Sequence, residues 1–471
     1  MKSKAVLFIA VIFLVLIMLP VFSACGSNKS TTTKLVVYNW EDYIDSALLD
    51  EFSAYYTSVT GFDLEIVYTT FETNETMMTK MVQGDAAVDL ICPSEYAVER
   101  LMSYGLIQNL SELKTSLLSE YDFADLAFDN LENIEPTITE KISEQFGSVS
   151  YNGTTANMTD YMLPYMWGTL GLLYNSDIVT ETDLESGWGL LWNKSGNESI
   201  INKMLVKDSV RDTYVAAVLY MLEYDLLPEG YETLSVQELI NCVDAVMLTK
   251  AEEVLTEQRQ YISGYEVDFG KDDMIAQTAY VDLAWSGDAL WAIEEAELVD
   301  INLDYYVPEV GANIWFDGWA IPTVAKNKLA ALMFIDFMCA PENAICNAME
   351  IGYTSAVSKD LFLENSDVLD IIIECEYEVE DYFSDTRRYP VVNDTLGIMH
   401  DFGKNNDAVI AMWERAKAGS SISLVLVWCI VGAVAVVGII ILIIALKEKW
   451  NFRPRKVSDK TADEPNADAI K

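Results

Sequence analysis

Residues 34–92 alternate between two hydrophobic periods, and that alternation constrains the fold more than any other feature of the chain. Residues 34–39, Lys-Leu-Val-Val-Tyr-Asn, form a short β-branched run that reads as a strand. Residues 46–56 then carry Leu48, Leu49, Phe52, Tyr55 and Tyr56 at helical spacing. A second strand is predicted over 63–68, and a helix over 74–84 with Met77, Met78, Met81 and Val82 as its apolar stripe. A third strand over 87–92 ends at Pro93-Ser94. Strand, helix, strand order needs a crossover, so the sheet it builds is parallel and covered by helices. Ligands of such sheets sit at the carboxyl ends of strands, where Trp40, Ser94 and Tyr96 emerge.

The pattern continues with a surface loop over 151–160, rich in Asn, Thr and Gly, and a crossing strand over 165–175. Helical spacing recurs over 211–223, 235–260, 274–280 and 325–339. A strand over 281–285 ends at Ser286-Gly287-Asp288, before an acidic helix at 289–298. At 471 residues the chain is long enough for two lobes, each with its own core.

Both ends carry membrane signals. Lys2 and Lys4 flank the start of an apolar run at 5–19, and Ser23-Ala24-Cys25-Gly26 supplies the small residues of a processing site. Residues 1–24 resemble a lipoprotein signal peptide that leaves Cys25 lipidated; a retained anchor helix is the alternative. Residues 25–33 are a polar tether. Residues 422–446 contain no charge and, as a helix, span about 37 Å, enough for the roughly 30 Å hydrocarbon core. Lys447, Lys449, Arg453, Arg455 and Lys456 follow, which predicts a cytoplasmic tail at 447–471, disordered toward its end, and a binding region outside.

Charge and composition narrow the chemistry. Lys and Arg total 30 against 74 Asp and Glu, a formal charge of -44, so nucleic acid is repelled while small cations are drawn in. The 51% apolar and 11% aromatic content argues for folded structure despite that charge. Of seven cysteines, Cys92, Cys242, Cys339, Cys346 and Cys375 fall in the folded region and read as free thiols. Their spacing makes no zinc site, and His400 is the sole histidine. There is no phosphate-binding glycine loop, no nucleophile elbow and no metalloprotease helix motif, so no enzyme, cofactor or metal is predicted.

What remains is a pattern of rings beside carboxylates. Trp40-Glu41-Asp42-Tyr43 and Trp315-Phe316-Asp317 each combine them, and Tyr96, Trp285 and Tyr353 add further aromatic walls. An organic amine is protonated at neutral pH, and it needs acceptors for its head and apolar surface for its methylenes. Indole faces attract it as well. Asp317 is the candidate anchor carboxylate, with Asp208 and Asp212 as candidate partners across a cleft. Asp317 as a turn cap, and Asp208 or Asp212 as ordinary helix-start residues, are the competing readings.

At these residues the chain resembles the spermidine/putrescine-binding proteins of polyamine ABC transporters, over most of 34–419. The strings are Tyr-Asn-Trp-Glu-Asp-Tyr-Ile at 38–44, Phe-Glu-Thr-Asn-Glu-Thr-Met at 71–77, Cys-Pro-Ser-Glu-Tyr at 92–96 and Pro-Tyr-Met-Trp-Gly-Thr at 164–169. They continue with an acidic segment at 208–212, Ala-Trp-Ser-Gly at 284–287, Ile-Trp-Phe-Asp-Gly-Trp-Ala-Ile-Pro at 314–322 and Ile-Gly-Tyr at 351–353. The resemblance implies ligand contacts at Trp40, Glu41, Tyr43, Ser94, Tyr96, Asp208, Asp212, Trp285, Trp315, Asp317 and Tyr353. Glu41 stands where the family commonly has a hydroxyl residue, and the C-terminal apolar segment is an addition to its pattern.

It also implies an α/β, two-lobed periplasmic-binding-protein fold of class II type with mostly parallel sheets. Lobe 1 is expected from 34–146 and 316–361, and lobe 2 from 147–315 and 362–419. The expected function is a monomeric, membrane-anchored receptor that delivers polyamines to an ABC permease with a separate ATPase. A receptor for another small organic cation or solute, or a tethered ligand sensor, is the alternative.

Overall fold

The apolar run after the tether becomes β1, Thr33–Trp40, with Leu35, Val37, Tyr38 and Asn39 buried. The structure, a computed structural model, describes residues 32–84 and 87–418. Expectations for residues 1–24, Cys25, 422–446 and 447–471 lie outside the described residues. Among the described residues no single helix is long and apolar enough to cross a membrane. The described chain divides into two units, one ending at Trp413 and the other beginning at Glu414. The described part of the second is helical, with Lys417 paired to Glu414 at 3.2 Å.

In the first unit, β1 pairs in parallel with β2, Leu64–Phe71, and with β3, Leu90–Ile91, giving the order β2-β1-β3. The helix Ser46–Thr60 buries Leu48, Phe52, Tyr56 and Thr60, one turn apart, and ends at Gly61 with φ 75°. Its N-cap is Asp45, whose carboxylate accepts the Ala47 N–H at 2.8 Å. Asp45→Ala removes that acceptor, and urea unfolding should register a loss of about 1 kcal/mol. The helix Asn74–Gln83 buries Met77, Met78 and Met81, but Val82 faces solvent at 53% exposure, off the stripe predicted for it. The third strand is shorter than the apolar run suggested. The Asp89 carboxylate takes the N–H groups of Val36, Lys326 and Asn327, which tie the chain down before Leu90.

Two short strands, β4 Val149–Tyr151 and β5 Thr154–Ala156, form a hairpin where a loop was expected. Asn152 and Gly153 supply its turn at φ 48° and 82°, the left-handed pair that tight hairpins require. The eight-stranded sheet is built on β6, Leu163–Asn175, buried along almost its whole length. The remaining strands are β7 Met204–Lys207, β8 Gly264–Glu266, β9 Val281–Trp285, β10 Leu303–Tyr306, β11 Ala312–Trp319, β12 Thr354–Ser355 and β13 Leu396–Gly397. The order is β13-β11-β6-β9-β7-β8, with β10 and β12 also on β6.

This sheet is mixed, which corrects the expectation of mostly parallel sheets. β6 runs antiparallel to β9, β10, β11 and β12, while β7 runs parallel to β8 and β9. The predicted helix over 235–260 is two helices, Val236–Ile240 and Ala245–Gln258, because Ser235 and Asp244 each cap a separate start. Likewise the helix expected at 274–280 is Gly270–Ile275, followed by Gln277 at φ 56°.

Candidate functional site

Strand geometry gathers the aromatic residues before any side-chain contact is considered. On β6, Gly168 faces Trp315 and Leu170 faces Trp285. Residues two apart on a strand share a face, and so do residues directly opposite each other, so both indoles flank β6 on one side of the sheet. Gly168 is needed there, since a Cβ would lie 2.7 Å from the Trp315 ring. Asp317, two residues after Trp315, falls on the same face at the point where the β11 register shifts. Such a bulge re-aims a side chain. Gly287, after Trp285, leaves room for the Tyr353 ring.

The ends of β1 and β3 complete the site. Ser94 forms a bridge with Asp317, and Ile91 one with Ala320, joining the small sheet to the end of β11. Tyr43, just beyond β1, donates its hydroxyl to Asp317 Oδ2 at 2.9 Å. Its ring stands edge-on to Tyr353 at 4.7 Å, and Tyr353 to Trp315 at 5.7 Å. Trp40 packs on Phe71 at 4.5 Å. Asn74 donates to Ser94 Oγ and to the Tyr96 hydroxyl, both at 2.9 Å, which orients those two groups.

Burial pushes the Asp317 carboxyl up to about 7; the hydroxyls of Ser94 and Tyr43 oppose this, and the charge of Asp212 adds to it. Asp212 is also raised by burial, against hydrogen bonds with Ser209 and Trp285. These two carboxylates therefore sense one another. No described Lys or Arg forms an ion pair with either. Asp317 Oδ1 is buried without a hydrogen-bond partner, as are the indole N–H groups of Trp40 and Trp315. Buried polar atoms are rarely left this way in a folded protein. Asp317 Oδ1 can take a donor, and each indole N–H an acceptor, water included.

Two of the predicted residues stand apart. Glu41 is exposed in the turn after β1. Asp208 accepts the Trp413 indole N–H at 3.2 Å and so serves the packing of that tryptophan. Tyr43, Ser94, Tyr96, Asp212, Trp285, Trp315, Asp317 and Tyr353 are connected through the contacts above, whereas Trp40 packs on Phe71 at the end of β1. Several neighbours escaped the sequence reading. Glu95 is fully buried, accepts the Phe316 N–H at 2.9 Å, and is pushed by burial up to about 8. Lys207 lies 4.4 Å from the centre of the Trp285 ring, and the Arg211 guanidinium 3.7 Å from that of Tyr96. Acids at helix starts and single basic residues in apolar runs are common on surfaces, so only their position between quoted motif residues could have flagged them.

Residues 50–365 match the family model described as bacterial extracellular solute-binding protein. The chain belongs to that family. This solute-binding protein is 27% identical over 329 residues to the spermidine/putrescine-binding periplasmic protein of Salmonella typhimurium, covering 70% of this chain and 79% of the relative. Its structure is similar to that of a chain from Listeria monocytogenes described as a spermidine/putrescine ABC transporter, with 26% identity and a TM-score of 0.60. It is also similar to the spermidine/putrescine ABC transporter substrate-binding protein of Streptococcus pneumoniae, with 27% identity and a TM-score of 0.56. Both matches cover 82% of this chain and 99% of the other. The α/β architecture is thus that of periplasmic binding proteins, and the solute-binding protein is a receptor of the kind that serves ABC transporters, not an enzyme.

Proposed function

We propose that this receptor captures polyamines outside the cytoplasm and passes them to an ABC permease driven by a separate ATPase. The observation that carries the reading is Asp317: a buried carboxylate with one oxygen held by Tyr43 and the other without a hydrogen-bond partner, sensing the charge of Asp212, on the strand face of Trp315 and next to the Tyr43–Tyr353–Trp315 ring contacts. Ammonium groups meet the carboxylates, and the methylenes lie against the rings. The names of the similar proteins from Salmonella and Streptococcus support the same ligand class. In this reading the parts 34–146 with 316–361 and 147–315 with 362–419 act as two lobes that close on ligand. Closure presents the loaded face to the permease only because the closed form binds ligand better than the open one.

Calorimetric titration of the purified protein with putrescine, spermidine, spermine and choline tests this directly. Heat with at least one polyamine and none with choline is the expected pattern; no response to any amine removes the assignment. The same titration should depend on pH. A cation favours the ionised form of Asp317, so below about pH 7 binding must expel a proton, and affinity falls by about tenfold per pH unit. The ligand-free fold has the opposite trend. For carboxyls raised on folding, the stability contribution is present below the ordinary carboxylate range and is lost as pH rises through about 7 for Asp317 and about 8 for Glu95.

A further inference from the structure

One face of Trp285 already holds an ammonium group, and it belongs to the protein. Lys207, the last residue of β7, is 1% exposed, and its Nζ stands 4.4 Å from the centre of the Trp285 ring. Around that nitrogen are Glu266 Oε1 at 2.6 Å, the Val267 carbonyl at 3.0 Å and Asp288 Oδ2 at 3.7 Å. An indole face, two carboxylates and a carbonyl are the surroundings an alkylammonium takes up when it leaves water. The position adjoins the ligand space. The other oxygen of Asp288 accepts the Tyr353 hydroxyl at 2.8 Å, and Trp285 itself bonds Asp212.

The acidic positions along the cleft therefore differ in one respect. Asp212 and Asp317 have no ion-pair partner among the described residues, whereas Glu266 pairs with Lys207 and Asp288 sits between Lys207 on Oδ2 and Lys271 at 3.8 Å on Oδ1. We propose that Lys207 is a built-in ammonium that fills the third cation position of the cleft, leaving two carboxylates for ligand charge and so selecting a diamine over a triamine. This rests on the polyamine reading and specifies its length. A ligand ammonium brought to about 6 Å from Nζ, at an effective dielectric near 20, is disfavoured on the order of 100-fold. Lysine suits this role because its flexible stem brings a compact point charge to the place where a free amine would rest.

The test is the affinity ratio of 1,4-diaminobutane to spermidine, measured by calorimetry on the full chain and on Lys207→Met and Lys207→Gln. The wild-type protein should favour the diamine by at least tenfold. Lys207→Met keeps the apolar stem and vacates the nitrogen's position, so the ratio should move toward spermidine by on the order of 100-fold. Equal or tighter binding of spermidine by the wild type overturns the proposal, whether or not the variants fold. An unchanged ratio in a variant that retains a cooperative melting transition overturns it too. If the wild type binds neither amine, the polyamine reading itself fails; if it binds amines without the predicted ratio, only the role of Lys207 does.

Discussion

On the proposed function, Asp317→Asn should lower polyamine affinity by roughly 30-fold to several-thousand-fold, the loss that follows when one partner of a buried, hydrogen-bonded charge pair is truncated. Asparagine keeps the shape of the side chain and can still accept from Tyr43, so the melting transition should remain cooperative. The variant also loses the pH dependence near 7, because the group responsible for it no longer titrates. Calorimetry at pH 6 and pH 8 reads both effects. Affinity and pH profile equal to the wild type would reduce Asp317 to a turn residue. The size of the effect reflects burial: Asp317 is 7% exposed, and an ammonium left facing an amide there has lost both water and counter-charge.

Arg211→Met should cost about 3 to 5 kcal/mol of folding stability, measured by urea unfolding. Arg211 is 1% exposed, and its guanidinium lies between the rings of Tyr96 at 3.7 Å and Phe402 at 4.1 Å. Its fork reaches Glu75 at 3.3 Å, the His400 carbonyl at 3.0 Å and Asn406 at 3.4 Å. Methionine fills the stem but leaves those acceptors without donors. Lysine restores the charge without the planar fork, so Arg211→Lys recovers less than half of the loss. An unfolding midpoint unchanged in Arg211→Met would mean that water replaces every one of these bonds.

The local parts of this architecture were legible in the sequence, and the long-range parts were not. The helix Ser46–Thr60 announces itself because Leu48, Phe52 and Tyr56 repeat every turn within one short window. The Asn152-Gly153 hairpin carried an equally local mark that composition alone read as a loop. By contrast, the direction of β6 is set by partners more than a hundred residues away, Trp285 and Trp315 among them, and leaves no trace in its own apolar run. That is why the sheet is mixed where a parallel one was expected. At the candidate site, Tyr43, Asp212 and Asp317 stand out in the sequence because rings and acids in motif order are unusual. Glu95, Lys207 and Arg211 were missed because a charge is read as solvated unless tertiary contacts are known to bury it. Asp208 stands out in the sequence only by its place in the acidic segment, and its bond to Trp413 joins residues too far apart in the chain to be read from it.

Gly168 has a consequence for how receptors of this build can diversify. Between the two tryptophans β6 presents bare main chain to the proposed binding space, and any added carbon there collides with Ser286 and Trp315. Central β6 is therefore closed to tailoring by substitution at that point. New ligand preferences must arise at the strand ends and turns that rim the floor, where Tyr43, Ser94 and Lys207 are found, so cargo choice can drift while the scaffold beneath it stays fixed.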